Sequence, residues 1–254
     1  MASLPEIGSR PPDRCAAGIV FALAIEADAF DRLAAGRIET RAADLTIVEG
    51  KVAERRVVWC VSGVGRAAAM RAAERLVAGH RPRLLVTAGF AGGLVPGLTR
   101  GSVVRPDRVV TAAGEAALPL LPDTAGDGGH ARPLTIVTAD EIQSTAAAKR
   151  NLAASSGGQL VDMETHAVAA VAAAAGLPCA ALRVISDDAT QDLPAEVARL
   201  TRPQPTLRRL GAALATIGRR PGAAVDLWRL YEHAVVDARR LAAALAALCR
   251  SLPP

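Results

Sequence analysis

The 254 residues are enough for one sizeable α/β core, and the formal net charge of +5 is spread over scattered arginines. Aromatic residues make up only 2% of a chain that is 51% hydrophobic, which excludes an aromatic stacking surface for single-stranded nucleic acid; no nucleic-acid partner is expected. Four widely spaced cysteines (Cys15, Cys60, Cys179 and Cys249), without a CxxC pair or a histidine at ligand spacing, read as small buried residues in a reducing compartment rather than as a disulfide set or a metal site.

Residues 1–16 read as a flexible leader: three prolines and mixed charges lie in the first fourteen positions, with no apolar signal-type core. No later stretch is long and charge-free enough to span a bilayer, so the expectation is a cytoplasmic protein. Gly18 to Ala24 is a continuous apolar run of buried-strand length, and Ala27 to Ala35 reads as a short helix after Glu26. Leu45 to Glu49 and Val57 to Val61 read as strands. The turn Ser62-Gly63-Val64-Gly65 leads into an alanine-rich helix over 66–79, and Leu84 to Ala88 is a strand ending in Gly89-Phe90-Ala91-Gly92-Gly93. A strand over 101–110 runs into a Gly/Asp/Pro-rich loop over 114–133 that reads as mobile. A strand over 134–138 and a helix over 146–154 follow. Around the acidic segment 161–168 come a small-residue helix over 169–176 and a buried strand over 178–184. After Pro194 the pattern is helical to the end.

The alternation predicts a single-domain α/β fold with a mixed, mostly parallel central sheet flanked by helices. The α/β domain is expected over 17–200, with C-terminal helices over 201–254 packed on it. Arg208-Arg209, Arg219-Arg220 and Arg239-Arg240 read as a solvated helical face, with peripheral contact to an anionic membrane as the sharper alternative. The stripe Leu227, Trp228, Leu230 and Tyr231 reads as core or a dimer face.

In open α/β sheets, ligands lie beyond the carboxyl ends of the strands. Those positions hold Glu26, the Ser62–Gly65 turn, Gly89 to Gly93, Met163-Glu164, and Arg183 with Ser186-Asp187. Neither GxGxxG nor a Walker loop is present, so no dinucleotide or ATP is indicated. Carboxylates whose environments differ can divide into a proton donor and a proton acceptor, as cleavage at an anomeric carbon requires. Taken alone, Glu26 reads as a helix-start carboxylate satisfying free amides, and Glu164 and Asp187 as caps or ion-pair partners of Arg183. Gly65 and Gly89 read as turn residues, Met163 as core, and His166 as packed or surface. Composition and spacing give equal weight to an enzyme and to a small-molecule-binding domain with structural carboxylates.

Five segments, GIVFALAIEADAF (18–30), VSGVGRAAA (61–69), VTAGFAGGL (86–94), VDMETHAVA (161–169) and LRVISDDA (182–189), occur in an order that resembles the nucleoside phosphorylase and nucleosidase superfamily. That superfamily includes methylthioadenosine/adenosylhomocysteine nucleosidases. ISDDATQDLP, and Arg-Arg-Pro followed by Leu-Trp-Arg-Leu, resemble its hopanoid-associated phosphorylase branch. The resemblance implies cleavage of the N-glycosidic bond of adenosylhopane, a lipid nucleoside, to release adenine and ribosylhopane or phosphoribosylhopane. It implies a homodimer and no metal or organic cofactor, with phosphate as a candidate co-substrate.

By the same resemblance Asp187 protonates N7 of the purine and Ser186 orients it or contacts the base. Glu164 holds the ribose hydroxyls, Met163 packs on the sugar, Glu26 activates water, and Arg183 anchors the carboxylates or the nucleophile. Ile142 falls near the purine-binding backbone, although the match around it is weak. The departures are Phe90, where nucleosidases commonly carry Ser beside Gly89, and the missing Gly-Asp-Pro loop and arginine of hexameric phosphorylases, whose positions read Ala22 to Glu26 and Thr87. Arg66 and Gly65 remain as a candidate phosphate site. For Asp187 to hold a proton, burial or a negative neighbour such as Asp188 is expected to assist. The rivals are an ordinary methylthioadenosine/adenosylhomocysteine nucleosidase and a non-catalytic purine- or lipid-binding protein.

Overall fold

A computed structural model describes residues 14–42, 44–122, 133–193 and 222–253. Residues 1–13 of the leader, residues 123–132 of the loop at 114–133, and Arg208, Arg209, Arg219 and Arg220 therefore lie outside the described residues, as do the side chains of Leu227, Trp228, Leu230 and Tyr231; the end of the expected leader is instead packed, with Cys15 and Ala16 buried. The order is β1 (Ala17–Phe21), α1 (Ala24–Asp31), β2 (Ala35–Ala42), β3 (Leu45–Val52), β4 (Arg55–Val61), α2 (Arg66–His80) and β5 (Leu85–Gly93). There follow β6 (Val103–Val104), β7 (Arg108–Thr111), β8 (Leu118–Pro119), β9 (Thr135–Thr138), α3 (Ala146–Ser156), β10 (Leu160–Asp162), α4 (Thr165–Ala174), β11 (Cys179–Asp187) and α5 (Gly222–Ser251).

The strands form one mixed sheet in the order β2-β3-β4-β1-β5-β10-β9-β7-β8, with β11 pairing β5 and β6. β4, β1, β5 and β11 run parallel, so their carboxyl ends open on one side, while β10 meets the end of β5 antiparallel at Val161↔Gly92. Side-chain alternation divides the core. Ile19, Phe21, Val57 and Trp59 face α1 and α5, where Phe30, Leu241 and Leu245 pack on them. Val20, Val58 and Cys60 face α2 and α4, against Ala69, Leu76 and Val168. Phe30 lies edge-on to Trp59, with ring centroids 5.4 Å apart, and the indole N–H donates to Asp31 Oδ1.

The helix expected over 27–35 starts earlier, at Ala24, so Glu26 lies in its first turn. The strand expected over 101–110 is two short strands, β6 and β7. The helix expected over 169–176 starts at Thr165, which puts most of the acidic segment in the β10–α4 junction. α5 lies against α1 and β11, so the end of the chain packs on the same domain. Gly63 and Gly65, at φ +85° and +100°, make the turn from β4 into α2 that no side chain with a Cβ adopts comfortably.

Candidate active site

A cavity of about 510 Å³ opens at the carboxyl ends of the parallel strands. Glu26, Glu164 and Asp187 all line it, on three different elements, and each is less than a tenth exposed. Met163, Phe90, Ile142 and Ser186 line it as well.

Glu26 is fastened by backbone. Its Oε2 accepts from the amides of Ala22 (3.0 Å) and Leu23 (2.8 Å), and its Oε1 from that of Phe90 (2.9 Å). It thus does satisfy amides at the start of α1, and it also reaches the end of β5 and the cavity. Gly89 is required by this contact, because a Cβ there would sit 2.6 Å from Oε1. Burial pushes the Glu26 carboxyl above its ordinary range, against the pull of the Phe90, Leu23 and Ala22 amides and of the Arg183 charge.

Glu164 follows β10. Its Oε1 accepts from the Gly65 amide at 2.7 Å, so the glycine turn before α2 holds this carboxylate. Burial first, and then the neighbouring Asp162, push its pKa up to about 8, while the Gly65 amide and Arg183 pull the other way. Asp187 stands at the end of β11, where Ser186 is the extra residue of a bulge: Ile185 pairs with Ala91 and Asp187 with Gly92. The bulge suspends the usual alternation, so that Ser186 Oγ donates to Asp187 Oδ1 at 2.6 Å and both residues line the cavity. Gly92 leaves room for this carboxylate as Gly89 does for Glu26; a Cβ there would lie 3.2 Å from Asp187 Oδ2. The two glycines are three residues apart on β5, about 10 Å of extended chain.

Three expected placements differ. Arg183 pairs with neither Glu164 nor Asp187 and does not line the cavity. Its Nε (3.1 Å) and Nη2 (2.6 Å) hold Asp162 Oδ2, and Nη2 also donates to Thr87 and Thr165. It acts on Glu26 and Glu164 only through its field. Arg66 is likewise engaged, by Glu115 at 2.6 Å, and the Gly65 amide is taken by Glu164, so neither member of the candidate phosphate site faces the cavity free. Asp188 does not assist Asp187. It is turned to solvent, where donors from Thr190 and Gln191 hold its carboxyl below the usual range. The charge that meets Asp187 is instead a cation, Lys149 Nζ, 2.5 Å from Oδ2. His166 is packed, as expected, with Nε2 3.2 Å from the carbonyl of Ala116.

Two residues beside the carboxylates carry no plain mark in the sequence. Asp162 sits inside the segment 161–169 and ties Arg183, Thr165 and Thr138 into a buried network beside Glu164. The signal available was a strand-end Asp followed three residues later by Thr, the spacing of a helix-start cap. Lys149, 1% exposed, is in sequence a single charge among the small residues of the helix expected over 146–154.

The phosphorylase superfamily profile matches residues 16–135 and 124–220 of the chain. The 5′-methylthioadenosine/S-adenosylhomocysteine nucleosidase of Haemophilus influenzae (strain PittEE) is 40% identical over 90 residues, 35% of this chain and 39% of that protein. The match thus spans about two-fifths of the length of that relative. The enzyme of the same name from Actinobacillus succinogenes is 30% identical over 196 residues, 67% of this chain and 84% of that protein. Among solved structures, the S-adenosylhomocysteine nucleosidase of Streptococcus pyogenes, in complex with 5-methylthiotubericidin, superposes with a TM-score of 0.73 at 18% identity, over 96% of this chain and 100% of that one. A futalosine hydrolase mutant of Helicobacter pylori gives a TM-score of 0.61 at 18% identity, over 67% and 88% of the two chains. At such identities the superpositions speak for the fold, and the family rests on the profile and the Actinobacillus alignment. The chain belongs to the phosphorylase superfamily.

Proposed function

We propose that the protein cleaves the N-glycosidic bond of a purine nucleoside and releases adenine. One observation carries the reading: Glu26, Glu164 and Asp187, held separately by backbone amides or a neighbouring side chain, line one cavity. As the bond breaks, positive charge grows on the sugar and electrons enter the base. Asp187, oriented by Ser186, gives N7 a proton so that adenine leaves neutral; such general acid catalysis contributes about 10²–10⁴-fold. Glu164 accepts from the ribose hydroxyls and Met163 packs on the sugar. Glu26 has three of its roughly four lone-pair sites occupied by amides and takes the proton of an attacking water with the remaining one.

Water is favoured over phosphate because Arg66 is engaged by Glu115 and Arg183 by Asp162. Around the 5′ position we read a large apolar group, that of adenosylhopane, with ribosylhopane as the second product. Leu23, Ile25, Phe90, Leu193 and Ala234 line the cavity, and Phe90 replaces a polar contact by an apolar face. The same reading places a homodimer in the cytoplasm, meeting the membrane from that side through exposed basic residues such as Arg239 on α5. A second reading, an ordinary methylthioadenosine/adenosylhomocysteine nucleosidase, is favoured by the names of the relatives.

The test is to incubate the protein with adenosylhopane in detergent, and separately with 5′-methylthioadenosine, each with and without phosphate, and to measure adenine and the sugar product. Adenine and ribosylhopane from the lipid nucleoside without phosphate is the expected result. Preference for methylthioadenosine transfers the protein to the second reading, phosphate dependence replaces water as nucleophile, and no adenine from either substrate refutes the cleavage.

A further inference from the structure

The cleavage proposed above gives no task to Lys149, a buried cation that meets Asp187. Lys149, in the first turn of α3 (Ala146–Ser156), is 1% exposed, and an ammonium in such a place is strongly disfavoured unless its protons are all accepted. They are. Its Nζ donates to the carbonyls of Asp188 (2.7 Å) and Gln191 (2.9 Å), and it meets Asp187 Oδ2 at 2.5 Å. Three donors on an ammonium face three acceptors, and the third acceptor is the carboxyl group assigned to N7. The same loop is fixed to α3 at two further points: Asp192 Oδ1 accepts from the Ala146 amide (2.7 Å) and the Leu193 amide donates to the carbonyl of Ser144 (2.8 Å). Thr145 Oγ1 caps the helix by accepting from Ala148. The loop would therefore stay in place on these contacts without a charge at position 149. The charged groups around Nζ are Asp187 itself, Asp188, whose carboxylate is turned to solvent, and Asp192, whose carboxylate is spent on the helix cap.

We propose that Lys149 is a positioning residue that holds the proton taken by the departing purine and passes it through Asp187. In the resting site the ammonium faces a carboxyl group that already accepts from Ser186. As the C1′–N9 bond breaks, its electron pair goes into the purine. Nζ gives a proton to the Asp187 carboxylate across the 2.5 Å contact and ends as a neutral amine, and the carboxyl group passes that proton on to N7. Water adds to C1′ and gives its proton to Glu26, so the site gains at Glu26 the proton it loses at Lys149. Exchange with solvent after product release restores both. The inference rests on the cleavage reading and adds to it the source of the proton.

The test compares two leaving groups on one sugar: the adenine nucleoside that the wild type cleaves best, and the p-nitrophenyl β-riboside carrying the same 5′ group. Nitrophenolate departs as a stable anion and needs no proton, whereas adenine does. Lys149→Gln keeps a hydrogen-bond donor for the loop carbonyls and removes the ammonium; Lys149→Met removes both. In both variants kcat/KM for adenine release is expected to fall about 10²–10⁴-fold and that for nitrophenolate release less than about tenfold. The ratio of the two is independent of the fraction of enzyme that folds. Equal losses on both substrates, or no loss on either, overturn the proposal while leaving the cleavage standing. A wild type that cleaves neither substrate overturns the cleavage reading, and the role of Lys149 with it.

Discussion

Replacing Gly89 by alanine tests whether β5 and α1 together lock Glu26 in the cavity. The added Cβ would lie 2.6 Å from Glu26 Oε1, 3.0 Å from Cδ and 3.1 Å from Oε2, closer than carbon and oxygen tolerate. Nothing near it is a loose side-chain end, since the carboxyl group is pinned by the Ala22, Leu23 and Phe90 amides and is 3% exposed. Relief requires the carboxyl to move and the 2.9 Å bond from Phe90 to break. Overpacking of this kind costs about 1–3 kcal/mol, and a lost hydrogen bond to a charged group about 1.5–3 kcal/mol, part of which overlaps. A net destabilisation on the order of 3 kcal/mol corresponds to a fall in Tm of about 6–12 °C for a domain of this size. Displacement of a catalytic group by about 1 Å costs on the order of 10²-fold in rate. The assays are urea unfolding and kcat/KM for adenine release. A second variant, Gly89→Ala with Glu26→Asp, withdraws the carboxyl by one methylene; it is expected to recover stability but not activity. Wild-type stability and activity in Gly89→Ala would refute the placement of Glu26 against β5.

Two further predictions follow from the buried charges. Glu164, raised by burial to about 8, favours the folded state fully below its unfolded value near 4.5, and that contribution is lost as pH rises through the folded value. Glu164→Gln should therefore flatten the decline of the urea midpoint between about pH 5 and 8, by on the order of a few kcal/mol; an unchanged decline contradicts the assignment. Arg183→Met leaves Asp162 buried without its cation and should cost about 3–5 kcal/mol, with Asp162→Asn added to it restoring part of the loss; a single variant as stable as wild type would show that the pair carries no weight.

The sequence was legible where a pattern is local. The apolar run at β1, the glycine turn before α2 and the acidic end of β11 each announce their element, and the ordered segments brought Glu26, Glu164 and Asp187 forward together. What escaped depends on partners far along the chain. Lys149 meets Asp187 across 38 positions, and in sequence it is one charge on an alanine-rich helix. Arg183 reads as an anchor for the site until the fold shows Asp162, Thr87 and Thr165 around its guanidinium. β2 escaped because its residues are exposed on both faces, so no alternation marks it; pairing with β3 alone makes it a strand. The bulge at Ser186 is equally invisible, yet it is what lets two consecutive residues serve one cavity.

The measurement that bears most directly on the account is adenine release from adenosylhopane and from 5′-methylthioadenosine by the wild type, Asp187→Asn and Glu26→Gln, with folding of each checked by urea unfolding. The account predicts release by the wild type from at least one substrate, and a loss of about 10²–10⁴-fold in each folded variant. Binding of these nucleosides without any release of adenine, unchanged by Asp187→Asn, would contradict it and leave a binding protein on an enzyme's scaffold.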